Sequence, residues 1–222
     1  MIKRNEETVI TAVIESQLSS GLEELGLSLS AEQQGKLLDY LALLMKWNKA
    51  FNLSGVRDAE QMLSRHILDS LTLVNYMQGT RILDVGTGPG LPGIPLAICY
   101  PDKQFGLLDS NGKKSRFVFQ AKLQLGLSNI EAINARVESF QDDQPLDIIV
   151  SRAFATLEDM ITVTRHLVVP GHTRLVAMKG LYPEEELAAI PDGFVMTKAE
   201  RVSVPGYTGE RHIIELEAKK AE

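Results

Sequence analysis

The sequence predicts an α/β fold: a mainly parallel seven-stranded sheet that ends in an antiparallel hairpin and is preceded by a helical extension. Three observations predict it. Residues 1–78 carry helix-spaced apolar residues with no alternating strand pattern. From Thr80 short apolar runs alternate with helical stretches, and after Gly193 two strand-like runs flank a Gly-rich turn. Alternating strands and helices imply right-handed crossovers and a parallel sheet covered on both faces. Two units are expected: a helical extension at 1–78 packed on the core, and an α/β domain at 79–222.

In the extension, Val9, Ile10, Val13, Ile14, Leu18 and Leu22 recur at steps of one, three and four, which lays one apolar stripe on a helix. Ser30 with Gln33 three residues later spells a capping box, opening a second helix that carries Leu37, Leu38, Leu41, Leu44 and Met45. A third helix is expected from Asp58 to Met77, with Leu63, Ile67, Leu71 and Val74 inward. Buried strands are expected at 81–85 (RILDV), 105–109 (FGLLD), 129–135 (NIEAINA), 147–151 (DIIVS) and 173–179 (TRLVAMK). Helical segments such as Lys113 to Leu125 and Leu157 to Leu167 separate them. Glu184 to Glu186 follows Pro183 and reads as the acidic first turn of a helix. FVMTKAERVSV, PGYTG and ERHIIELEA form the closing hairpin, and the tail EAKKAE is expected to fray.

Composition narrows the function classes. The 222 residues hold 23 Lys and Arg against 29 Asp and Glu, a formal charge of −6, and 44% are apolar. That apolar share builds a core, which excludes a chain disordered for want of hydrophobic residues. No apolar run approaches the roughly 18 residues that cross a bilayer. The N-terminus breaks its apolar positions with Glu6, Glu7, Glu15 and Gln17, unlike a signal peptide. Cys99 stands alone, so neither an internal disulfide nor a structural zinc site is expected. The expectation is a cytoplasmic, metal-independent protein, and a negative chain would hold nucleic acid only through a local basic patch.

The most informative segment runs from Asp84 to Pro95, with Gly86, Gly88, Gly90 and Gly93 between a predicted strand and a predicted helix. Glycines let the backbone turn sharply and approach a ligand, and the helix start offers unpaired N–H groups. Asp109 ends the next strand, 21 residues after Gly88, where a carboxylate can accept hydrogen bonds from ribose hydroxyls. Its alternative role is a cap for the helix beginning at Lys113. NAD, FAD and S-adenosylmethionine all suit such a pair. Asp84 tilts the choice toward the last, because a carboxylate beside the loop repels a pyrophosphate and suits an ammonium or sulfonium. A sheet that closes on an antiparallel strand, as in class I (Rossmann-like) methyltransferases, tilts it the same way.

Which atom receives a methyl group is narrowed by elimination. The end of the fourth strand reads Ser151-Arg152-Ala153-Phe154, without the acidic or Asn residue followed by Pro-Pro and an aromatic that serves exocyclic amines. Pyrimidine C5 needs a cysteine nucleophile, and Cys99 lies in the apolar run IPLAICY, where it reads as a small buried hydrophobe. What remains is an acceptor with a free lone pair, or an oxygen or nitrogen whose proton leaves late.

Several segments now match a known family. They are Trp47-Asn48-Lys49, Asn52-Leu53, Val56-Arg57-Asp58, Arg65-His66-Ile67-Leu68-Asp69-Ser70, the Asp84 to Pro95 block, Leu107-Leu108-Asp109-Ser110, Arg136-Val137-Glu138, Ser151-Arg152-Ala153-Phe154-Ala155, Met178-Lys179-Gly180 and Glu210-Arg211-His212. In this order the chain resembles the RsmG family, also called glucose-inhibited division protein B. The resemblance implies a bacterial methyltransferase, its catalytic domain at 79–222, that uses S-adenosylmethionine to modify N7 of guanine 527 in 16S ribosomal RNA. It also implies cofactor contacts at Gly86, Leu91, Val137, Glu138 and Arg152. With Asp84, Gly88, Gly90 and Asp109 from the loop these make the expected cofactor site, and Arg152 is expected to position the reacting groups. Guanine N7 carries a lone pair and no proton, so collinear placement of sulfur, methyl and N7 would suffice without a general base.

For RNA, Lys113, Lys114 and Arg116 open a helix on the cofactor side. With Lys179, Arg201, Arg211 and His212 they are expected to form a basic rim that holds phosphate, a solvated charged face being the alternative. Tyr207 and Phe154 are candidates to stack on a base, against core packing. His66 reads as a packed, hydrogen-bonded histidine. The expected partner is 16S ribosomal RNA or the small ribosomal subunit, met by a monomer without membrane or metal.

Overall fold

The computed structural model describes residues 12–220 except 153 and 155. Helix α1 (Ala12–Glu24) buries Ile14, Leu18 and Leu22. Val13 corrects the expected stripe: at 100° from Ile14 around the helix it faces outward, 55% exposed. Val9 and Ile10 lie outside the described residues. Helix α2 (Ala31–Phe51) opens on the capping box: Ser30 Oγ accepts from Gln33 N–H, and Gln33 Oε1 accepts from Ser30 N–H. The same Gln33 amide also donates to the carbonyls of Ile98 and Cys99, tying the extension to the α/β layer.

The third helix is not the single rod expected from 58 to 77. It comprises α3 (Ala59–Met62), a π-helical stretch (Leu63–Leu68), α4 (Asp69–Leu71) and a 3-10 turn (Val74–Tyr76). Hydroxyls share the carbonyls here: Ser70 Oγ donates to His66 O at 2.6 Å, which also accepts from Asp69 N–H, and Thr72 Oγ1 donates to Asp69 O at 2.7 Å, which also accepts from Thr72 N–H, back-bonding of the kind that bends helices. The wider π turn turns His66 and Asp69 inward; both are buried.

The α/β layer runs β1 (Arg81–Val85), α5 (Gly93–Cys99), β2 (Gln104–Leu108), α6 (Gly112–Leu125), β3 (Ile130–Ile133), β4 (Ile148–Ser151), α7 (Leu157–Thr164), β5 (Arg174–Lys179), α8 (Glu184–Ala188), β6 (Phe194–Arg201) and β7 (His212–Ala218). The seven strands lie in the order β3-β2-β1-β4-β5-β7-β6. The first five pair in parallel and β7 runs antiparallel to both β5 and β6. Alternation along each strand splits the core. Ile82, Phe105, Ile148 and Val176 face α5, α6 and the extension, while Leu83, Ile149, Leu175 and Leu216 face α7. One tail expectation is overturned: Glu217 and Ala218 do not fray but pair with Arg174 and Phe194. Among the described residues no helix is long and apolar enough to cross a membrane.

Candidate active site

Because five parallel strands end at one edge, the sheet gathers there the residues that follow them. β1 ends past Asp84, β2 before Asp109, β4 before Arg152 and β5 at Lys179. The antiparallel pair joins them, since Lys179 and Arg201 both register with His212. β1 lies between β2 and β4, so strand order reverses beside it, and the crevice outside that reversal is where open α/β sheets bind ligands.

The glycine loop is stitched over this crevice. Gly86 and Thr87 N–H donate to Leu108 O at 2.9 and 3.0 Å, and Gly90 and Leu91 N–H donate back to Thr87 O at 3.0 and 2.8 Å. Gly88 has φ +60°, and a Cβ there would meet nothing closer than 4.0 Å, so glycine serves the turn and leaves space outside it. Gly93 has the opposite constraint: a Cβ would lie 2.1 Å from Leu107 Cδ2. From outside, the buried Tyr40 of α2 donates its hydroxyl to Pro89 O at 2.8 Å. Leu91 itself is buried in the core.

Two carboxylates brace this loop. Asp109 Oδ2 accepts from Gly88 N–H at 2.9 Å and Oδ1 from Asn111 N–H at 2.8 Å, with Lys114 Nζ at 3.8 Å. Capping of α6 falls to Asn111, whose side chain accepts from Lys113 N–H, and not to Asp109. Asp84 is fully buried; its Oδ2 accepts from Thr87 Oγ1 at 2.6 Å and Gly93 N–H at 2.8 Å. Its Oδ1 is buried without a hydrogen-bond partner. Burial pushes the Asp84 carboxyl up to about 6, against the pull of those two hydrogen bonds and of Arg152. An unpaired buried carboxylate oxygen beside a glycine turn fits a cationic ligand group such as an ammonium. Val137 and Glu138 lie in the 3-10 turn after β3, the first buried and the second exposed. Asn134, just before that turn, donates to Asp109 O at 2.9 Å and so joins the ends of β2 and β3.

On the other side of the crevice the basic residues do not form the open rim expected. Arg152 Nη1 donates to Asp69 Oδ2 at 3.1 Å, and Arg211 Nε donates to Asp69 Oδ1 at 2.6 Å. Lys179 pairs with Glu186 at 2.7 Å, and Glu186 also accepts from Leu157 N–H. His212 is a correction: it is buried, with Nδ1 3.0 Å from Gly180 O and Tyr182 packed edge-on against it. Lys113, Arg116 and Arg201 stand exposed, Arg201 at 3.7 Å from Glu210. The guanidinium groups of Arg65 and Arg211 each lie 5.7 Å from the ring centre of Tyr207. Phe154 packs against the α7 side of the core. His66 has both nitrogens engaged, Nε2 at 2.6 Å from Ser54 Oγ and Nδ1 at 2.9 Å from Arg65 O. Burial, then the charge of Arg152, pushes its pKa down to about 4.

Sequence reasoning missed Tyr40, Asp69, Asn134 and Glu186. Only Asp69 carried a signal, an acid set among Ile67, Leu68 and Leu71 on a helix that is otherwise buried there. Among the described residues no group of three or more His, Cys, Asp or Glu could hold a metal ion.

Five parallel strands in this order with β7 inserted antiparallel between β5 and β6, a glycine loop after β1 and an acid after β2 give the chain the class I methyltransferase fold. The O-methyltransferase TomG from Streptomyces achromogenes has a similar fold, with a TM-score of 0.59 at 14% identity over 93% of this chain and 98% of that one. A SAM-dependent methyltransferase from Aquifex aeolicus gives a TM-score of 0.55 at 16% identity over 71% and 93%. Within that class the chain belongs to the GidB family, rRNA small subunit methyltransferase G, whose model matches residues 33–214. The ribosomal RNA small subunit methyltransferase G of Pseudomonas aeruginosa (strain LESB58) is 53% identical over 201 residues, 90% of this chain and 94% of that one. Its counterpart in Pseudomonas syringae pv. syringae (strain B728a) is 51% identical over 209 residues, 94% and 97%.

Proposed function

We propose that this enzyme transfers the methyl group of S-adenosylmethionine to N7 of one guanine in 16S ribosomal RNA, the nucleotide that the family resemblance identifies as guanine 527. S-adenosylmethionine, when bound, supplies an electrophilic methyl group on a sulfonium. The chain's own residues hold and orient. Gly86, Gly88 and Gly90 let the loop backbone approach, Asp109 accepts from ribose hydroxyls, and Asp84 faces the cationic methionine end. Val137 and Glu138 flank the adenine. Arg152, at the tip of β4, orients the acceptor at the point of transfer. Lys113, Lys114, Arg116 and Arg201 meet RNA phosphate, and the enzyme works as a cytoplasmic monomer.

One observation supports an acceptor with a free lone pair: His66 is engaged at both nitrogens, and Cys99 lies at the far end of α5 from the glycine loop. His66, the ionisable base beside Arg152, is buried with both nitrogens occupied. Cys99 sits at the far end of α5, its neighbour Tyr100 sharing with Ala97 and Lys103 the amide of Asn129, and burial pushes its thiol up to about 12. A lone-pair acceptor needs neither base nor nucleophile. Incubation with tritiated S-adenosylmethionine and either small ribosomal subunits or naked 16S RNA tests the reading. Label in RNA that gives strand cleavage at a single guanine after borohydride reduction and aniline treatment is expected; label in RNA without such cleavage, or only in small molecules, would overturn it.

A further inference from the structure

Asp69 reaches the mouth of the crevice from the helical extension, and it is fully buried there. Its two oxygens are divided between residues 83 and 142 positions away in sequence, Oδ2 to Arg152 Nη1 at 3.1 Å and Oδ1 to Arg211 Nε at 2.6 Å. Arg152 completes its anchorage on Arg65 O at 3.3 Å. The guanidinium groups of Arg65 and Arg211 both lie against Tyr207. Two guanidinium groups thus meet on one buried carboxylate, and a third, that of Arg65, lies beside the same tyrosine as Arg211.

We propose that Asp69 is a positioning residue for methyl transfer: held on its other oxygen by Arg211, it fixes the orientation of Arg152 so that the acceptor meets the methyl group in line. Two guanidinium groups this close repel each other, and neither long side chain has one preferred rotamer at a strand tip. A buried carboxylate that bonds each through a different oxygen removes both problems at once. The extension therefore contributes to turnover as well as to packing. The π-helical turn provides the reach, since it ends at Leu68 and presents Asp69 inward.

The inference rests on the reading of Arg152 as the residue at the transfer point, and its test is separable from the choice of target atom. Turnover is read as tritium entering 16S RNA wherever it lands, while the modified position is mapped on the wild-type enzyme alone. Asp69→Asn keeps the side-chain shape and removes the charge and one acceptor. It is expected to lower kcat about 100-fold, the size of a misplaced reacting group, with much smaller changes in KM for RNA and cofactor. In an Arg152→Ala background the same substitution is expected to cost nothing further, because both act through one guanidinium. Arg211→Gln, which frees one Asp69 oxygen, gives a second route should Asp69→Asn fail to fold; its kcat loss is likewise expected to vanish in the Arg152→Ala background. Wild-type kcat in the folded single variants, or losses that multiply in the double variants, would overturn the proposal.

Discussion

Asp84 is a charge held out of reach of water, and its environment makes opposing demands on stability and binding. Its carboxyl is pushed from 3.8 up to about 6 chiefly by burial. A raised acid binds its proton more tightly in the folded state, so above about pH 6 the ionised group destabilises the ligand-free fold, and that penalty fades as pH falls toward 3.8. Asp84→Asn is expected to stabilise the ligand-free protein at pH 8 by about 1–2 kcal/mol, with the gain shrinking below pH 6, while weakening cofactor binding. Denaturant melts across pH, with titration of the cofactor, check both halves. His66 has the opposite sign. Its pKa is lowered from 6.5 to about 4, so its contribution is complete above pH 6.5 and is lost as pH falls toward 4. In His66→Gln the wild-type loss of stability over that interval should shrink, and an unchanged pH profile would remove His66 as its source. Neither effect was legible in the sequence. Asp84 could be read as a carboxylate beside glycines, but its burial and its unpaired oxygen arise from how Thr87 and Gly93 fold around it.

Among the elements, those whose pattern is local were readable and those shaped by distant partners were not. The capping box at Ser30 and Gln33, the acidic turn of α8 and the runs 81–85 and 173–179 each carry their own signal, a cap, a proline or a short apolar run. The extension's third helix failed that test, because Ser70 and Thr72 read as ordinary helix residues until their hydroxyls are seen on His66 O and Asp69 O. Helix α2 holds a second lesson. Tyr40 keeps step with Leu37, Leu41 and Leu44 and reads as core, yet its hydroxyl reaches Pro89 O and clamps the glycine loop. Tyr40→Phe leaves that carbonyl unpaired in a buried place and is expected to cost about 1–3 kcal/mol of stability. Cofactor affinity should fall with it. If denaturation and calorimetry both return wild-type values, α2 does not set the loop.

For the molecule as a whole, topology converts scattered motifs into one edge. The glycine block, the acid at 109 and the arginine at 152 could be placed near one another from the sequence, because parallel strands must end on the same side. What the cations do there could not be. Arg152 and Arg211 converge on Asp69, Lys179 on Glu186, and His212 folds under Tyr182, each through a partner far away in the chain. Lys113, Arg116, Arg65 and Arg201 are the basic residues named above that stay exposed. Methyl transfer as proposed requires that the loop and Asp109 grip an adenosyl ligand. Titration calorimetry of S-adenosylmethionine into the wild-type protein and Asp109→Ala measures that grip. Saturable one-to-one binding is expected, weakened by about 1–3 kcal/mol in the variant through lost charged hydrogen bonds. Equal affinities, or a wild-type protein that binds NAD in preference, would contradict it.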